Sequence, residues 1–435
     1  MLVYRGATLI PCTPGSVPAR GDLHVEGGRI CAILPPDAPI PAGAEVIDLR
    51  GRWLMPGFTQ THIHLVQTLF RGLADDLPLL DWLRLRIWPF EKAHDEDSVY
   101  WSARLGITEL LLGGTTAILD MATVSHTDAV FAAAEEAGLR AAIGKAMMDR
   151  DNEAGLGEST DRSLQSAVDL AERWHHRTDR LRYAFAPRFV PSCSETLLRQ
   201  TAIEARRRGC LLHTHASENK DEVAMVRQMT GTDNVTWLEE VGIAGPDVVL
   251  AHCVHLNETE EDGLARTDTT VAHCPSSNLK LASGFARVPE LLAKGIRVTL
   301  GADGAPCNNR LDAFTEMRLA ALLQKPRLGA SAMEAGTVLQ MATRKGAEAL
   351  QTGAGCLEVG RPADLVEIEP DVISGWGGGD PHSALVYALT PAAVRRVWVG
   401  GELRVENGAV RGWDTAETLE GCRQALTRVR ARAGR

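Results

Sequence analysis

The sequence predicts an α/β protein: a (β/α)8 TIM-type barrel with a small β-sandwich built from both chain termini. Three observations favour this fold class. The length of 435 residues fits one barrel with an accessory domain. Between residues 57 and 304, short apolar runs alternate with amphipathic segments. The two ends instead alternate polar and apolar residues between glycine-rich turns, which is typical of antiparallel strands.

Eight apolar runs are the predicted barrel strands. Each is apolar along nearly its whole length and is followed by a helical pattern, as expected for a parallel sheet covered by helices. An open, doubly wound sheet fits the same pattern, but no GxGxxG follows the first run to indicate a dinucleotide site. The runs cover residues 58–64, 115–121, 141–147, 182–188, 210–216, 248–255, 270–276 and 297–303.

The predicted domains follow from these patterns. Residues 1–56 and 361–410 are expected to form one β-sandwich, because neither half alone could cover its apolar face. Residues 57–360 are expected to form the barrel, with a helical segment at 331–351 near its end. Residues 411–435 are predicted as a C-terminal helix.

Composition and charge exclude several classes of protein. The formal net charge of −10 argues against nucleic acid as a partner, since phosphate binding needs a basic surface. No apolar run reaches 18 residues, so we expect no membrane span, and the first residues read as a strand rather than a signal peptide. Nine cysteines without a CxxC pair indicate a reducing, cytoplasmic environment. We expect a small-molecule substrate; a homo-oligomer is compatible with this sequence.

Histidines on the predicted strands indicate a functional site. A buried imidazole costs free energy unless it is hydrogen-bonded or bound to a metal. One such residue is usually a satisfied core histidine, but six together are harder to explain that way. His255 adds a seventh at the point where the sixth strand meets its loop. The six are His62, His64, His213, His215, His252 and His273.

The spacing of these histidines indicates which of them could bind a metal. His62 and His64 form H-x-H, and the two-residue period of a strand places both rings on one face. His215 and Glu218 form H-x-x-E at the end of the fifth strand, where a barrel active site opens. His213 shares the face of His215 but lies one layer deeper, so we choose His215 as the ligand and leave His213 to packing or support. His273 is left open between a structural and a functional role.

The strand ends complete a metal-binding set. His252 lies in LAHCVH at the end of the sixth predicted strand, and Asp303 lies in LGADG at the end of the eighth. Three imidazoles and one carboxylate suit Zn²⁺ with an open position for water. Glu218 and His252 are then left as acid/base groups, which hydrolytic chemistry requires.

Seven segments with the chemistry-bearing residues stand in the following order along the chain: MPGFTQTHIH, TLFRGLADDLPLLDWL, RIWPFE, HTHASEN, LAHCVH, HCPSSNLKL and GADGAPCNN. In this order they resemble the amidohydrolase superfamily, specifically its mononuclear aminohydrolase branch. The C-terminal GRPADLVEIEP and VWVGGELRVENG are similar to that family's sandwich signature. Its members include deaminases of S-adenosylhomocysteine, 5′-methylthioadenosine and 5′-deoxyadenosine, deaminases of guanine and 8-oxoguanine, and triazine hydrolases.

The resemblance implies a metal centre and catalytic groups. Zn²⁺ would be held by a set of four ligands, and Fe²⁺ or Mn²⁺ are alternative ions. Relatives with two metals use a carboxylated lysine on strand four, but no lysine lies between Lys145 and Lys220, so one metal per chain is expected. The implied ligands are His62, His64, His215 and Asp303, and the implied catalytic residues are Glu218, His252 and Asp303.

The resemblance is less decisive about substrate contacts, which we assign to Gln67, Glu91, Arg188 and Glu218. Glu91 matches the residue that binds ribose hydroxyls in adenosine-type deaminases; the alternative is an ion pair with an arginine on its own helix. Arg188 stands where those enzymes usually have a histidine. Together with Gln67 it resembles guanine-type deaminases, where such groups read a ring carbonyl.

The predicted function is a zinc-dependent hydrolytic deaminase of an aminopurine nucleoside or base, releasing ammonia. Adenosine-type substrates such as 5′-deoxyadenosine, 5′-methylthioadenosine or S-adenosylhomocysteine are the first expectation. The alternatives are a guanine or 8-oxoguanine deaminase and an s-triazine amino- or chlorohydrolase of the same fold. An inactive scaffold is the weakest reading, because every ligand and acid/base group is present.

Overall fold

The computed structural model describes residues 1–150, 154–375 and 379–434. The eight predicted barrel strands are all present, and neighbouring strands pair in parallel. In chain order they are Phe58–His64, Thr115–Met121, Arg140–Gly144 with Ala146–Met147, Leu181–Pro187, Leu211–Ala216, Val248–His252, Thr270–His273, and Val298–Leu300 with Asp303–Gly304. We refer to them as barrel strands one to eight.

The eighth strand closes the barrel in two parts. Its first part pairs with strand seven, Val271 opposite Val298, and its second part pairs with strand one, Asp303 opposite Ile63. The break falls at Gly301, where a Cβ would lie 2.7 Å from the carbonyl oxygen of His62. Only glycine allows the backbone this close to strand one. The sheet is therefore a closed (β/α)8 barrel rather than an open doubly wound sheet.

Helices cover the outside of the barrel, and several begin at a capping side chain. Asp95, Ser159, Ser194, Asn219 and Asn257 each accept a hydrogen bond from a backbone N–H of the first helical turn. These caps end the loops that leave the carboxyl ends of the strands, where the site lies. The main covering helices are Glu96–Leu112, Thr127–Ala137, Thr160–Trp174, Glu195–Arg207, Lys220–Thr230, Asn234–Glu240, Glu258–Thr267, Val288–Ala293, Ala313–Leu322, Ala335–Ala342 and Arg344–Ala349.

Shorter helices lie in the loops and at the C-terminal end. A turn of π-helix, Leu83–Ile87, joins two of them. Thr415–Arg432 is the C-terminal helix, and it packs on Glu96–Leu112. Within the described ranges, no helix is long and apolar enough to cross a membrane. The short helices are Leu79–Trp82, Trp88–Lys92, Pro275–Lys280, Ala305–Asn308, Lys325–Leu328 and Pro381–Tyr387.

The predicted helical segment 331–351 is confirmed and contains two helices. They are separate because Thr343 leaves the helical region at φ −129°, ψ −96°. The second helix must approach strand one closely, since a Cβ at Gly346 would lie 2.9 Å from the Cβ of Thr59. The break lets this helix turn onto the barrel wall.

Strands from both ends of the chain form one nine-stranded, mostly antiparallel sheet. The two ends meet where Trp53–Pro56 pairs with Leu365–Ile368. Tyr4 and Trp398, one from each end, pack edge to face in its core. The exact domain limits stay predictions. The strands are Leu2–Leu9, Ala19–Glu26, Arg29–Leu34, Glu45–Asp48, Trp53–Pro56, Leu365–Ile368, Val394–Val399, Glu402–Glu406 and Ala409–Val410.

Candidate metal centre and active site

Four of the predicted side chains converge at the carboxyl end of the barrel. Asp303 Oδ1 lies 3.2 Å from His62 Nε2 and 3.4 Å from His64 Nε2. His64 Nε2 lies 3.2 Å from His215 Nε2. All four residues are buried or nearly so. The structure therefore brings together the residues that the sequence assigns as ligands.

The hydrogen bonds of two imidazoles determine where their protons lie. His64 Nδ1–H donates to the carbonyl of Met121 at 2.7 Å, and His215 Nδ1–H donates to the carbonyl of Arg188 at 2.6 Å. A carbonyl can only accept, so Nδ1 carries the proton in both rings. Burial lowers the pKa of His64 to about 3 and the pKa of His215 well below its usual value. Both rings are therefore neutral, with an unprotonated Nε2 facing the centre.

Two unprotonated nitrogens 3.2 Å apart cannot hydrogen-bond to each other. Their lone pairs repel unless a cation lies between them. Zn²⁺ binds imidazole nitrogen at about 2.0–2.1 Å in tetrahedral sites, which places two such nitrogens about 3.3 Å apart. His62 Nε2 is also buried and has no hydrogen-bond partner among the described residues. The donor set therefore fits a metal ion.

The carboxylate of Asp303 presents its two oxygens to different groups. Oδ1 faces His62 and His64, whereas Oδ2 lies 3.9 Å from His252 Nε2. One oxygen is thus available to a metal while the other faces the predicted acid/base residues.

His252 lies on the far side of Asp303 and is oriented by Asn278. Its Nδ1 is 2.8 Å from Asn278 Oδ1, which accepts the ring N–H. His252 and Asp303 both have left-handed backbone, at φ 74° and 63°, which concentrates strain at the site. By distance alone His252 could also join His62 and His215 around an ion. Its position beside Asp303 Oδ2 favours the predicted role outside the ligand set.

Glu218 is buried between His252 and Ser283. Its Oε2 lies 3.5 Å from His252 Nε2, and Ser283 Oγ donates to its Oε1 at 3.4 Å. Burial, followed by the negative charge of Asp303, raises the pKa of Glu218 well above its usual value. A carboxyl group in this state can hold a proton and release it, as a proton shuttle must.

Glu91 and Arg188 form a buried, two-pronged ion pair. Arg188 Nη1 and Nη2 donate to the two carboxylate oxygens of Glu91 at 2.6 and 3.1 Å. Gln67 Nε2 also donates to Glu91, at 2.9 Å. Burial alone would raise the pKa of Glu91, but Arg188 outweighs it and lowers that pKa. The alternative of an arginine on Glu91's own helix is therefore wrong, since Arg188 follows strand four.

A cavity lies over the metal-binding residues, with an empty volume of about 430 Å³ when its open mouth is included. Gln67, Arg188 and Glu218 line its polar side. The apolar wall comes from loops and consists of Leu79, Trp82, Leu83, Phe189 and Leu281. A second cavity, about 1000 Å³ with its open mouth, is lined by Glu91 together with Lys92, Thr123, Ser125, Glu158 and Arg162.

Residues 53–404 match the amidohydrolase family. The chain belongs to that family. It is 41% identical over 405 residues to the 5′-deoxyadenosine deaminase of Methanothermobacter thermautotrophicus, covering 92% of this chain and 93% of that protein. It is 36% identical over 431 residues to a 5-methylthioadenosine/S-adenosylhomocysteine deaminase of Desulfitobacterium hafniense, covering 98% and 97%.

A solved structure is also similar along the whole chain. It is that of an adenosine deaminase from Xanthomonas campestris with bound zinc. The two structures superpose with a TM-score of 0.93 at 32% identity, covering 99% of this chain and 98% of the other. The comparisons confirm the predicted amidohydrolase resemblance, the barrel fold and the hydrolase class.

Some residues of the site could not be identified from sequence reasoning. Trp82 ends a one-turn helix and Phe189 follows the fourth strand, and both segments are too short to show a periodic pattern that would mark them as cavity walls. Glu222 accepts the backbone N–H of Glu218 at 2.7 Å and so holds the loop that carries it. The capping pattern N-x-x-E at Asn219 could have revealed Glu222, because such a glutamate folds back onto the preceding backbone.

Proposed function

We propose that this amidohydrolase is a zinc-dependent deaminase of adenosine-type nucleosides modified at the 5′ position, releasing ammonia. The observation that carries the proposal is the meeting of unprotonated imidazole nitrogens and Asp303 with a buried, protonatable Glu218. The named activities of the relatives, at 36–41% identity over nearly the whole chain, support the substrate class.

His62, His64, His215 and Asp303 would hold one Zn²⁺ per chain, with Fe²⁺ or Mn²⁺ as alternatives. The ion, when bound, supplies a water molecule whose pKa is lowered towards neutrality. No lysine stands on strand four to bridge a second metal. The zinc in the related crystal structure supports the choice of ion.

The chain's own acidic and basic groups then move protons. Attack on an amino-substituted ring carbon breaks aromaticity, so the adjacent ring nitrogen must gain a proton as the water adds. Glu218 takes a proton from the attacking water and delivers it to that nitrogen. Asp303 accepts the second proton and passes it to the departing amine, while His252 orients the attacking oxygen.

Glu91 is the residue we assign to the ribose hydroxyls. Arg188 and Gln67 hold its carboxylate rigidly, which lowers the entropic cost of binding a diol. The second cavity adjoins Glu91 and contains the cationic groups Lys92 and Arg162. We assign it to the 5′ substituent, which extends from the ribose away from the base.

A guanine-type deaminase is the second candidate, because Arg188 lines the metal-side cavity. Two of its five guanidinium N–H groups bind Glu91, however, which ties Arg188 to the residue that we assign to the ribose. An s-triazine substrate carries no ribose and would leave the Glu91 carboxylate without a purpose. Adenosine-type nucleosides therefore use more of the site.

Ammonia release from a substrate panel tests the proposal. The panel contains 5′-deoxyadenosine, 5′-methylthioadenosine, S-adenosylhomocysteine, adenosine, guanine, 8-oxoguanine and an amino-s-triazine. We expect the 5′-modified nucleosides to show the highest kcat/KM. A higher kcat/KM for guanine or for the triazine would overturn the assignment and leave the hydrolase class intact.

We also propose a cytoplasmic protein that acts on this small molecule and not on nucleic acid, alone or as a homo-oligomer. All nine cysteines lie in the described ranges and are free thiols, eight of them buried. This supports a reducing compartment. Size-exclusion chromatography with light scattering would determine the oligomeric state.

A further inference from the structure

His213 lies beneath the metal-binding residues and connects one of them, His62, to the backbone of strand six through two hydrogen bonds. It is fully buried on strand five, two residues before His215. Its Nε2 lies 2.8 Å from Nδ1 of His62, and its Nδ1 lies 3.0 Å from the carbonyl oxygen of Val249. The contacts link strands one, five and six across the barrel interior.

The direction of each hydrogen bond follows from the carbonyl end. Val249 O can only accept, so His213 Nδ1 carries a proton. His213 is fully buried, and neither of its ring nitrogens contacts a carboxylate among the described residues, so nothing there compensates a positive charge. The ring is therefore neutral and its Nε2 is unprotonated. That nitrogen can only accept, which means that His62 Nδ1–H donates to it. His62 Nε2 is therefore left unprotonated towards the centre.

Without this relay, His62 has a competing arrangement. Its Nε2 lies 3.2 Å from Asp303 Oδ1, within reach of a hydrogen bond if the proton moved to Nε2. Two of the four metal-binding residues would then be bound to each other. His64 and His215 avoid this state because each donates directly to a backbone carbonyl. For His62 the equivalent acceptor is a side chain.

We propose that His213 is a positioning residue that fixes the tautomer of His62 and so keeps His62 and Asp303 available to the metal. The proposal rests on the metal centre proposed above and is independent of the substrate. Supporting groups of this kind are usually carboxylates or carbonyls, and their loss typically weakens metal binding about 10- to 100-fold. Here a neutral imidazole, itself oriented by Val249, has that role.

Two substitutions separate the relay from simple packing. His213→Leu removes both ring nitrogens, whereas His213→Gln can accept from His62 Nδ1–H through its amide oxygen and donate to Val249 through its amide nitrogen. His273→Leu is the matched control. His273 is equally buried on strand seven, and neither of its ring nitrogens has a hydrogen-bond partner within the described ranges.

The readout is the zinc dissociation constant of the metal-free protein, measured by competition with a chelator, with circular dichroism as the check on folding. We expect His213→Leu to weaken zinc binding about 10- to 100-fold, and His213→Gln to recover most of that loss. His273→Leu should bind zinc as the parent does. The proposal would be overturned if His213→Leu bound zinc as tightly as the parent. It would also be overturned if His213→Gln or His273→Leu lost as much zinc affinity as His213→Leu.

A measurement on the parent covers the case in which His213→Leu does not fold. In the metal-free protein labelled with ¹⁵N-histidine, ring-nitrogen shifts should show His62 protonated at Nδ1 and unprotonated at Nε2. A protonated Nε2 on His62 would refute the relay. Since neither measurement uses a substrate, failure of the nucleoside panel would leave this result standing, and the reverse also holds.

Discussion

The metal side and the substrate side of the site are built in different ways. On the metal side, the side chains stand on barrel strands or at their ends, and each ring is oriented by a group on another strand or on a loop. On the substrate side, Glu91 and Arg188 come from a loop helix and the turn after strand four, and each holds the other. The metal side depends on the barrel alone, whereas the substrate side depends on one long-range ion pair.

The largest expected effect comes from removing a metal ligand. His62→Ala or His215→Ala should abolish zinc binding and activity, because a site of four ligands loses one of its three imidazoles. The barrel should remain folded. Elemental analysis of the purified variants, with circular dichroism for the fold, tests this. A variant that retains about one zinc per chain would remove that residue from the ligand set.

Glu218 separates proton transfer from metal binding. Glu218→Gln should keep its zinc and still bind substrate, but lose at least about 10³-fold in kcat, within the range of a general acid/base. Steady-state kinetics and metal analysis measure both properties. Glu260→Gln is the control, since Glu260 is a buried carboxylate that accepts backbone N–H groups away from the centre. Near-parental kcat in Glu218→Gln would require another proton shuttle.

The Glu91–Arg188 pair tests the substrate side by itself. Glu91→Ala should raise KM for nucleosides about 10- to 100-fold while sparing a free base, because it removes a charge-assisted contact of about 1.5–3 kcal/mol. It also leaves Arg188 buried and unpaired, so the free energy of unfolding should fall by about 3–5 kcal/mol. Zinc content should not change.

A double substitution distinguishes the two effects of Glu91→Ala. Glu91→Leu combined with Arg188→Met removes both charges and should recover most of the stability, since no charge is left unpaired. Nucleoside affinity should stay low. If activity fell equally on nucleoside and free base, and fell in proportion to the free energy of unfolding in both variants, Glu91 would have a structural role. The ribose contact would then be unassigned.

The sequence predicts the metal side better than the substrate side, for physical reasons. A strand repeats every two residues, so H-x-H at 62 and 64 places both rings on one face wherever the strand lies. Glu91 and Arg188 are 97 residues apart on irregular segments. No periodicity connects them, so their contact could not be read from the sequence.

The ends of individual strands also could not be predicted from the sequence. The sixth strand ends at His252 and not at residue 255, because His252 and Cys253 both have left-handed backbone. The eighth strand is interrupted where Gly301 approaches strand one. Apolar pattern predicts that a strand exists, but the close approaches at the site determine where it stops.

The smallest expected effect concerns the third group that holds Glu91. Thr123 Oγ1–H donates to Glu91 Oε2 at 3.3 Å, a long hydrogen bond beside two stronger contacts. Thr123→Val keeps the shape and removes this donor, so nucleoside binding should weaken by about 0.5–1.5 kcal/mol, with zinc content unchanged. Thr127→Val is the matched control, because the buried Thr127 Oγ1 has no partner in the described part of the chain. It should leave nucleoside KM unchanged. If Thr123→Val leaves nucleoside KM unchanged, as Thr127→Val should, then Arg188 and Gln67 alone orient Glu91. The substrate side would then resemble the metal side, where each side chain is oriented by a few strong contacts.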